Sequence, residues 1–191
     1  MKIHELVERC AAAAEGKDPM NAVRKVLEGM REDLADLEKS LSFISGVGGN
    51  ARQVFFRSPK LFMLKARFPA GRRTPPHNHG TWATILLLTG REKNTLYLRD
   101  RKSKGGLRRA GEKTLAPGDV LTMRPDTMHV VECLGDEDTT GLHVYGGDIL
   151  TLERSMWHPK TLREQPLDFT KYDALARVAA RLPAAPDPAR V

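Results

Sequence analysis

The sequence predicts a mainly β domain, preceded by helices and followed by one short helix. Two observations lead to this prediction. From about residue 52 to 149, short β-branched, aromatic and leucine-rich runs are separated by turns that contain glycine or proline, a spacing typical of a β-sandwich or barrel. Before that region, apolar residues recur at steps of three and four, which is the period of an amphipathic helix.

Two helices are predicted at the start of the chain. The first covers Ile3–Ala14. The second begins at Asp18, whose side chain can cap the first turn, with Pro19 at the first helical position. Its apolar period continues to Ile44 and ends at the glycine-rich segment 46–49. We expect both helices to pack on the β domain rather than to carry chemistry.

Seven strands are predicted in the β region from their apolar and β-branched runs. They are Val54–Phe56, Leu61–Phe68, Trp82–Leu88, Thr95–Arg99, Val120–Met123, Met128–Leu134 and Thr140–Tyr145. The basic segment 99–109 contains two adjacent glycines, which predicts a mobile hairpin tip. A last helix is predicted over 172–182, and the Pro- and Ala-rich tail 183–191 is predicted to be disordered.

Composition and charge limit the function classes. With 40% hydrophobic and 29% charged residues, we expect one globular unit: a helical segment at 1–50, a β barrel at 51–155 and an extension at 156–191. The net charge of +7 attracts anions, but no aromatic residue is interleaved in segment 99–109 for base stacking, so no nucleic-acid partner is expected. Two cysteines, and the lack of a membrane-length apolar run or secretory signal, predict a cytoplasmic protein without a membrane partner.

The segment 75–82 reads Pro-Pro-His-Asn-His-Gly-Thr-Trp. Side chains two apart on an extended strand share a face, so His77 and His79 can bind one metal ion together. A third histidine, His129, follows a Pro-Gly-Asp turn at 117–119. A single histidine is more often an ordinary surface or core residue, but the three together predict a metal site. Neutral imidazoles suit Zn, Fe, Cu and Ni, so the ligand types alone do not name the metal.

Both histidine segments resemble the two signature motifs of the cupin superfamily: His-x-His in the first, and Pro-Gly-Asp with a His eleven residues after the Gly in the second. This resemblance implies a double-stranded β-helix barrel with the metal inside. Many cupins supply a Glu soon after the histidine pair, whereas Ala83 and Thr84 occupy that region here. A three-histidine site is therefore expected.

The segment 141–148, Gly-Leu-His-Val-Tyr-Gly-Gly-Asp, resembles the Ser-His-Tyr triad of the thiol dioxygenases, the family of cysteine dioxygenase and 3-mercaptopropionate dioxygenase. The resemblance covers roughly residues 50–155 and implies catalytic roles for His143 and Tyr145. The chain departs from the pattern at Gly141, which replaces the Ser. Thr84 stands where the animal enzymes carry a Cys that crosslinks to the Tyr, so the chain is most similar to the bacterial branch.

Two further residues are assigned to substrate binding by this resemblance. Arg154 lies where 3-mercaptopropionate dioxygenases hold the substrate carboxylate, and a planar guanidinium suits a carboxylate through two parallel hydrogen bonds. Gln53 resembles a Gln of the same subgroup. The alternative for Arg154 is an ordinary solvated side chain that follows a strand.

The leading hypothesis from the sequence is an Fe(II) dioxygenase that uses O2 to oxidise the thiol of a small thiol carboxylate to a sulfinate. One alternative keeps the three histidines but cleaves a carbon–carbon bond in a diketone or aromatic substrate. A second is a non-catalytic, metal-dependent cupin that binds a small ligand. The sequence leaves the exact substrate and the oligomeric state open.

Overall fold

Helices precede and follow the β region in the computed structural model, which describes residues 3–42 and 52–187. The helices are α1 (Ile3–Ala14), α2 (Pro19–Glu28), α3 (Leu34–Ser42) and α4 (Phe169–Ala180). The strands are β1 (Arg52–Arg57), β2 (Phe62–Phe68), β3 (His77–Asn78), β4 (Ala83–Thr89), β5 (Glu92–Arg99), β6 (Leu107–Leu115), β7 (Val120–Met123), β8 (Thr127–Cys133), β9 (Thr139–Tyr145), β10 (Ser155–Trp157) and β11 (Glu164–Pro166).

The strands form two antiparallel sheets. The first sheet has the order β1-β2-β9-β4-β7, and the second has the order β11-β10-β3-β8-β5-β6. The predicted class, mainly β with N-terminal helices and a C-terminal helix, is confirmed. The two sheets fit the double-stranded β-helix fold that the histidine motifs imply.

The first sheet is buried on both faces. Along β2, Phe62 and Leu64 pack in a core shared with Val131 of the second sheet, whereas Met63 between them packs with the N-terminal helices. The period of two along a strand sends alternate side chains to these two cores. Double-sided burial explains why β4 is an almost continuous apolar run instead of an alternating one.

The predicted long helix from Asp18 is interrupted. Its start is confirmed, because the Asp18 carboxylate accepts a hydrogen bond from the backbone N–H of Asn21 and Pro19 opens α2. The helix ends at Gly29, and a short 3-10 turn separates it from α3. Glycine is among the poorest helix formers, so the chain can change direction there and still bury Met30. The predicted end at 46–49 lies outside the described residues.

All seven predicted strands are present, with ends shifted by no more than a few residues, but the strand prediction missed β6 and the short β3, β10 and β11. The nine residues of β6 are buried only at Leu107 and Leu115, so they show no apolar alternation. This strand pairs with β5 at the edge of the second sheet, where charged side chains are common. The predicted hairpin at 99–109 is the β5–β6 connection.

The C-terminal extension packs against the second sheet. The Tyr97 hydroxyl donates to the Pro186 carbonyl at 2.5 Å, and the guanidinium of Arg73 donates to the carbonyls of Ala179 and Leu182. The disorder predicted for 183–191 is therefore wrong for 183–187, because backbone carbonyls there and just before them satisfy buried donors of the sheet. In the described ranges no helix is long and apolar enough to cross a bilayer.

Candidate metal centre

Three buried histidines converge on one point beside the second sheet. His77 on β3 is the direct cross-strand partner of His129 on β8, and His79 follows two residues after His77. One ring nitrogen from each residue lies within 4.8 Å of the others. All three side chains are less than a tenth exposed. The three predicted ligands are thus brought together.

The chain around the histidine pair is shaped to allow this approach. The carbonyl of Pro76 accepts a hydrogen bond from the Trp157 backbone N–H at 2.8 Å, which ties β3 to β10. After His79 the chain turns at Gly80, whose φ is +70°. A Cβ there would lie 2.9 Å from the carbonyl oxygen of Glu153, so glycine is required at this close approach.

Hydrogen bonds orient two of the imidazole rings. His77 Nδ1 lies 3.0 Å from the Pro75 carbonyl oxygen, and His129 Nδ1 lies 2.9 Å from Asn94 Oδ1. Since both oxygens only accept, each Nδ1 carries the proton, and Nε2 is left with its lone pair. His129 Nε2 and His79 Nδ1 are buried without a hydrogen-bond partner. Such orphaned nitrogens among three rings fit a bound cation.

Burial also sets the charge of the rings. It lowers the pKa of His77 to about 3 and holds the pKa values of His79 and His129 well below their usual range. The imidazoles are therefore neutral at neutral pH, the form that ligates metals. A buried set of three neutral nitrogens can hold a divalent transition metal and leaves coordination positions open.

A cavity of about 40 Å³ adjoins the histidines. The first sheet contributes His143 and Tyr145 to its wall, and α4 contributes Phe169 and Tyr172. The volume is enough for only a few water molecules. Because both sheets and α4 line this cavity, the metal centre lies between the two sheets, with the C-terminal helix covering one side.

His143 and Tyr145 form a hydrogen-bonded pair within this wall. His143 Nδ1 lies 3.0 Å from the Tyr145 hydroxyl oxygen, and the Tyr145 ring lies 5.2 Å from the ring of His79. Burial raises the pKa of Tyr145 and lowers the pKa of His143 to about 3, so both groups are neutral. His143 Nε2 is buried without a partner, and a Cβ at Gly141 would lie 3.2 Å from it. Gly141, which has no side chain, thus leaves this nitrogen unsatisfied.

The structure places the two predicted substrate-binding residues differently. Arg154 lines the cavity, and its guanidinium carbon lies 5.3 Å from the centre of the Phe169 ring. Gln53 does not line it, whereas the preceding residue, Arg52, does. Adjacent residues of a strand point to opposite faces, so only one of the two can face the cavity. The placement does not support the role assigned to Gln53.

Four residues of the site were not identified from the sequence. Arg52, Phe169 and Tyr172 line the cavity, and Tyr172 packs edge-on against His77 with 5.1 Å between ring centres. Asn94 orients His129 from the neighbouring strand. The aromatic pair three residues apart at the start of a helix was a usable signal, since such residues share one helix face.

No protein-family model matches the chain. Among solved structures, the chain is similar to the Schizosaccharomyces pombe Cnp3 cupin domain, with 15% identity over 52% of this chain and 61% of that chain and a TM-score of 0.43. It is similar to DMSP lyase DddQ from Ruegeria pomeroyi DSS-3, with 17% identity, 62% and 57% coverage and a TM-score of 0.44. A Klebsiella pneumoniae protein with a double-stranded β-helix domain has 14% identity, 60% and 90% coverage and a TM-score of 0.45.

The match spans less than two thirds of the length of the first two of these proteins. Similarity at these TM-scores carries no information about the activity of this chain. The structure itself shows two antiparallel sheets and a buried three-histidine group that can hold a metal ion.

Proposed function

We propose that this protein is an Fe(II)-dependent dioxygenase that converts the thiol of a small thiol carboxylate to a sulfinate. One observation carries the proposal. The three-histidine group, the Tyr145–His143 pair and the guanidinium of Arg154 all face the same small cavity. A ligand group, a hydrogen-bond donor and an anion-binding group at one place are what a thiol carboxylate requires.

The overall reaction is balanced by its two substrates alone. A thiol R–SH and O2 give R–SO2H: both oxygen atoms end on sulfur, which is oxidised, and O2 is reduced, so no further reductant is needed. When bound, Fe(II) supplies coordination positions for the thiol and for O2 and the redox chemistry that joins them. The three neutral histidines would add no negative charge to the bound ion, which would favour a substrate thiol in its deprotonated, thiolate form.

The other residues of the cavity bind and orient the substrate. Arg154 is suited to hold the carboxylate through two parallel charge-assisted hydrogen bonds. Because burial raises the pKa of Tyr145, its hydroxyl keeps its proton at neutral pH and can donate a hydrogen bond toward the reacting sulfur. His143, held against that hydroxyl, restricts its rotation. The small cavity at the histidines leaves room for only a few water molecules beside the substrate.

Oxygen consumption by the Fe(II)-loaded protein tests the proposal. The substrate panel contains 3-mercaptopropionate, cysteine, cysteamine, a β-diketone and a catechol. The reactions are repeated under ¹⁸O2, and the masses of the products are measured by mass spectrometry. We expect uptake with a thiol carboxylate and a sulfinate that is heavier by two ¹⁸O atoms. Uptake only with the diketone or catechol would establish a carbon–carbon-cleaving enzyme, and uptake with none would favour a ligand-binding protein.

A matched pair of histidine variants tests whether the oxygen uptake comes from iron bound at the three-histidine site. His79→Ala should abolish both iron binding and oxygen consumption. His4→Ala, which removes an exposed histidine of α1, should change neither. Equal activity in the two variants would mean that the oxidation comes from iron bound elsewhere.

A further inference from the structure

Two arginines, not one, reach the cavity beside the histidines. Arg154 lies after β9 and Arg52 opens β1, and both line the cavity wall. Their guanidinium carbons lie over the same ring, Phe169, at 5.3 and 4.7 Å from its centre. The two carbons are therefore no more than about 10 Å apart, the sum of these distances.

The positive charge of these arginines is poorly compensated. No Asp or Glu is among the described residues that line the cavity. Asp173 is the nearest carboxylate of Arg52, but it is bound at 2.5 Å by Arg72, and the nearest Arg52 nitrogen is 3.9 Å away, beyond hydrogen-bond distance. Arg154 has no carboxylate partner within the part of the chain that the structure describes.

Both guanidinium groups are also held out of free solvent. The Arg52 side chain is 25% exposed and rests on Phe169 and Tyr172. Burial lowers the pKa of Arg154, and the like charge of Arg52 lowers it further. Holding two partly desolvated cations near one another is unfavourable unless anions arrive with the ligand.

A larger cavity adjoins the first on the side of Arg52. A second cavity of about 380 Å³ shares Arg52, Leu64, Ile149 and Phe169 with the one beside the histidines. Arg52 therefore stands between the small cavity at the metal centre and a larger one, whose lining also includes Asp173, the carboxylate bound by Arg72. A ligand whose thiol lies at the histidines can extend into this space.

From these observations we propose that the substrate is a small thiol bearing two carboxylates, one bound by Arg154 and the other by Arg52. The proposal rests on the proposed thiol oxidation and names its substrate class. A planar carboxylate matches the fork of each guanidinium, and a four-carbon dicarboxylate spans the separation of the two groups. A substrate with one carboxylate leaves one of the two cations without an anionic partner.

Binding to the metal-free protein tests the two-carboxylate site independently of catalysis. Isothermal titration compares succinate, which has two carboxylates and no thiol, with propionate, which has one. We expect succinate to bind about tenfold or more tightly than propionate, since the second charge-assisted contact is formed only by succinate. Equal affinities would overturn the proposal.

Variants assign that difference to Arg52. Arg52→Ala should bring succinate to the affinity of propionate, and Arg52→Gln, which keeps most of the side-chain volume, should do the same. Arg101→Ala removes an equal charge from the β5–β6 turn outside the cavity and should leave the difference intact. Melting curves show whether each variant is folded. A preference for succinate that survives in both folded Arg52 variants would also overturn the proposal.

Oxygen uptake with thiols separates this proposal from the proposed function. We expect 2-mercaptosuccinate to have a kcat/KM about tenfold or more above that of 3-mercaptopropionate, and Arg52→Ala to remove the advantage. If no thiol is oxidised but succinate binding follows Arg52, the dioxygenase function is wrong and the two-carboxylate site stands. If 3-mercaptopropionate is oxidised at the same rate with or without Arg52 and 2-mercaptosuccinate has no advantage, the function stands and this proposal is wrong.

Discussion

The two walls of the cavity are built in opposite ways. On the second sheet, His77 and His129 are each oriented by an oxygen acceptor that belongs to the fold, Pro75 and Asn94. The other wall comprises the first sheet, α4 and the residue before β10; there the guanidinium of Arg154 lacks a carboxylate partner among the described residues and His143 Nε2 is unsatisfied. The metal side is arranged before any ligand arrives, whereas the substrate side holds groups that a ligand can satisfy. Substitutions on the two walls should therefore affect different measurements.

Removing a histidine should have the largest effect on the metal side. His79→Ala deletes one of three ligands, and we expect metal affinity to fall by about 100-fold or more. Competition titration with a chromophoric chelator measures this for Fe(II) or Zn²⁺. A His79→Ala protein that retains its metal as tightly as His4→Ala would show that the histidines do not form the site.

Asn94→Ala tests orientation on the same wall without removing a ligand. Losing the acceptor for His129 Nδ1 should weaken metal binding by about 10- to 100-fold, the range seen when partners of metal ligands are removed. Asn94→Asp, which restores an acceptor, should recover most of the affinity. Asn21→Ala, at an exposed helix start, is the control. Unchanged affinity in Asn94→Ala would mean that the ring is held by packing alone.

Arg154→Ala tests the substrate side and should leave the metal in place. We expect kcat/KM for 3-mercaptopropionate to fall by about tenfold or more, because charge-assisted hydrogen bonds are worth roughly 1.5–3 kcal/mol. Arg154→Lys should recover only part of the loss, since an ammonium keeps the charge without the fork. Cysteamine, which lacks a carboxylate, should be oxidised equally by all three proteins. Equal losses for both thiols would remove Arg154 from carboxylate binding.

Tyr145→Phe should have a smaller effect and again spare the metal. It deletes the hydroxyl that meets His143 and keeps the ring that packs near His79. We expect kcat to fall severalfold while iron content stays constant, and the two are measured on the same preparation. Unchanged kcat would show that Tyr145 contributes packing only.

The smallest expected effect is on the stability of the fold, and it comes from the Arg99–Glu164 ion pair outside both walls. The hydrogen bond from Arg99 holds the pKa of Glu164 below its usual range. A lowered pKa in the folded state means that this stabilisation is complete above the pKa of the unfolded chain and is lost as the pH falls through the folded value. Both side chains are more than a third exposed, so the pair is worth about 0–1 kcal/mol.

The matched variant for this pair is Glu164→Gln. Melting temperatures of wild type and Glu164→Gln should differ slightly at pH 7 and converge below about pH 4, where the carboxylate becomes protonated. A difference that persists unchanged at pH 3 would mean that the charge is not its cause. Metal affinity and kcat/KM should be the same in both proteins.

The contrast between the walls also explains what the sequence could predict. His77, His79 and His129 were predictable because strand geometry places two of them on one face and the third follows a recognisable turn. Asn94 was not, because its role depends on which strand lies beside β8. Tyr172 reaches the cavity only after α4 folds back over the sheets, and the Arg72–Asp173 ion pair that helps hold α4 joins residues about one hundred positions apart. Arg52 was missed because its neighbours Phe169 and Tyr172 also come from α4, far away in sequence.

The fold class was predictable for a related reason, and the errors have local causes. Regular turn signals separate strands that are apolar on at least one face, so seven strands were found. Strand β6 was missed because its middle is exposed and polar, and the helix break at Gly29 was missed because a periodic apolar pattern continues across it. Both β6 and the helix break depend on contacts between residues far apart in the chain, which a short window of sequence does not reveal.

The direct cross-strand pairing of His77 with His129 links the metal to the folding of the protein. Side chains on a strand alternate between faces, so a one-residue slip of β8 against β3 would turn the third imidazole to the outside of the sheet. A cation that bridges the two strands can thus bind all three histidines only when β3 and β8 pair in the native register. Its binding therefore stabilises the native fold relative to folds in which the two strands are shifted. The supply of that metal ion would then influence how much of this chain is correctly folded, as well as how much of it carries the metal.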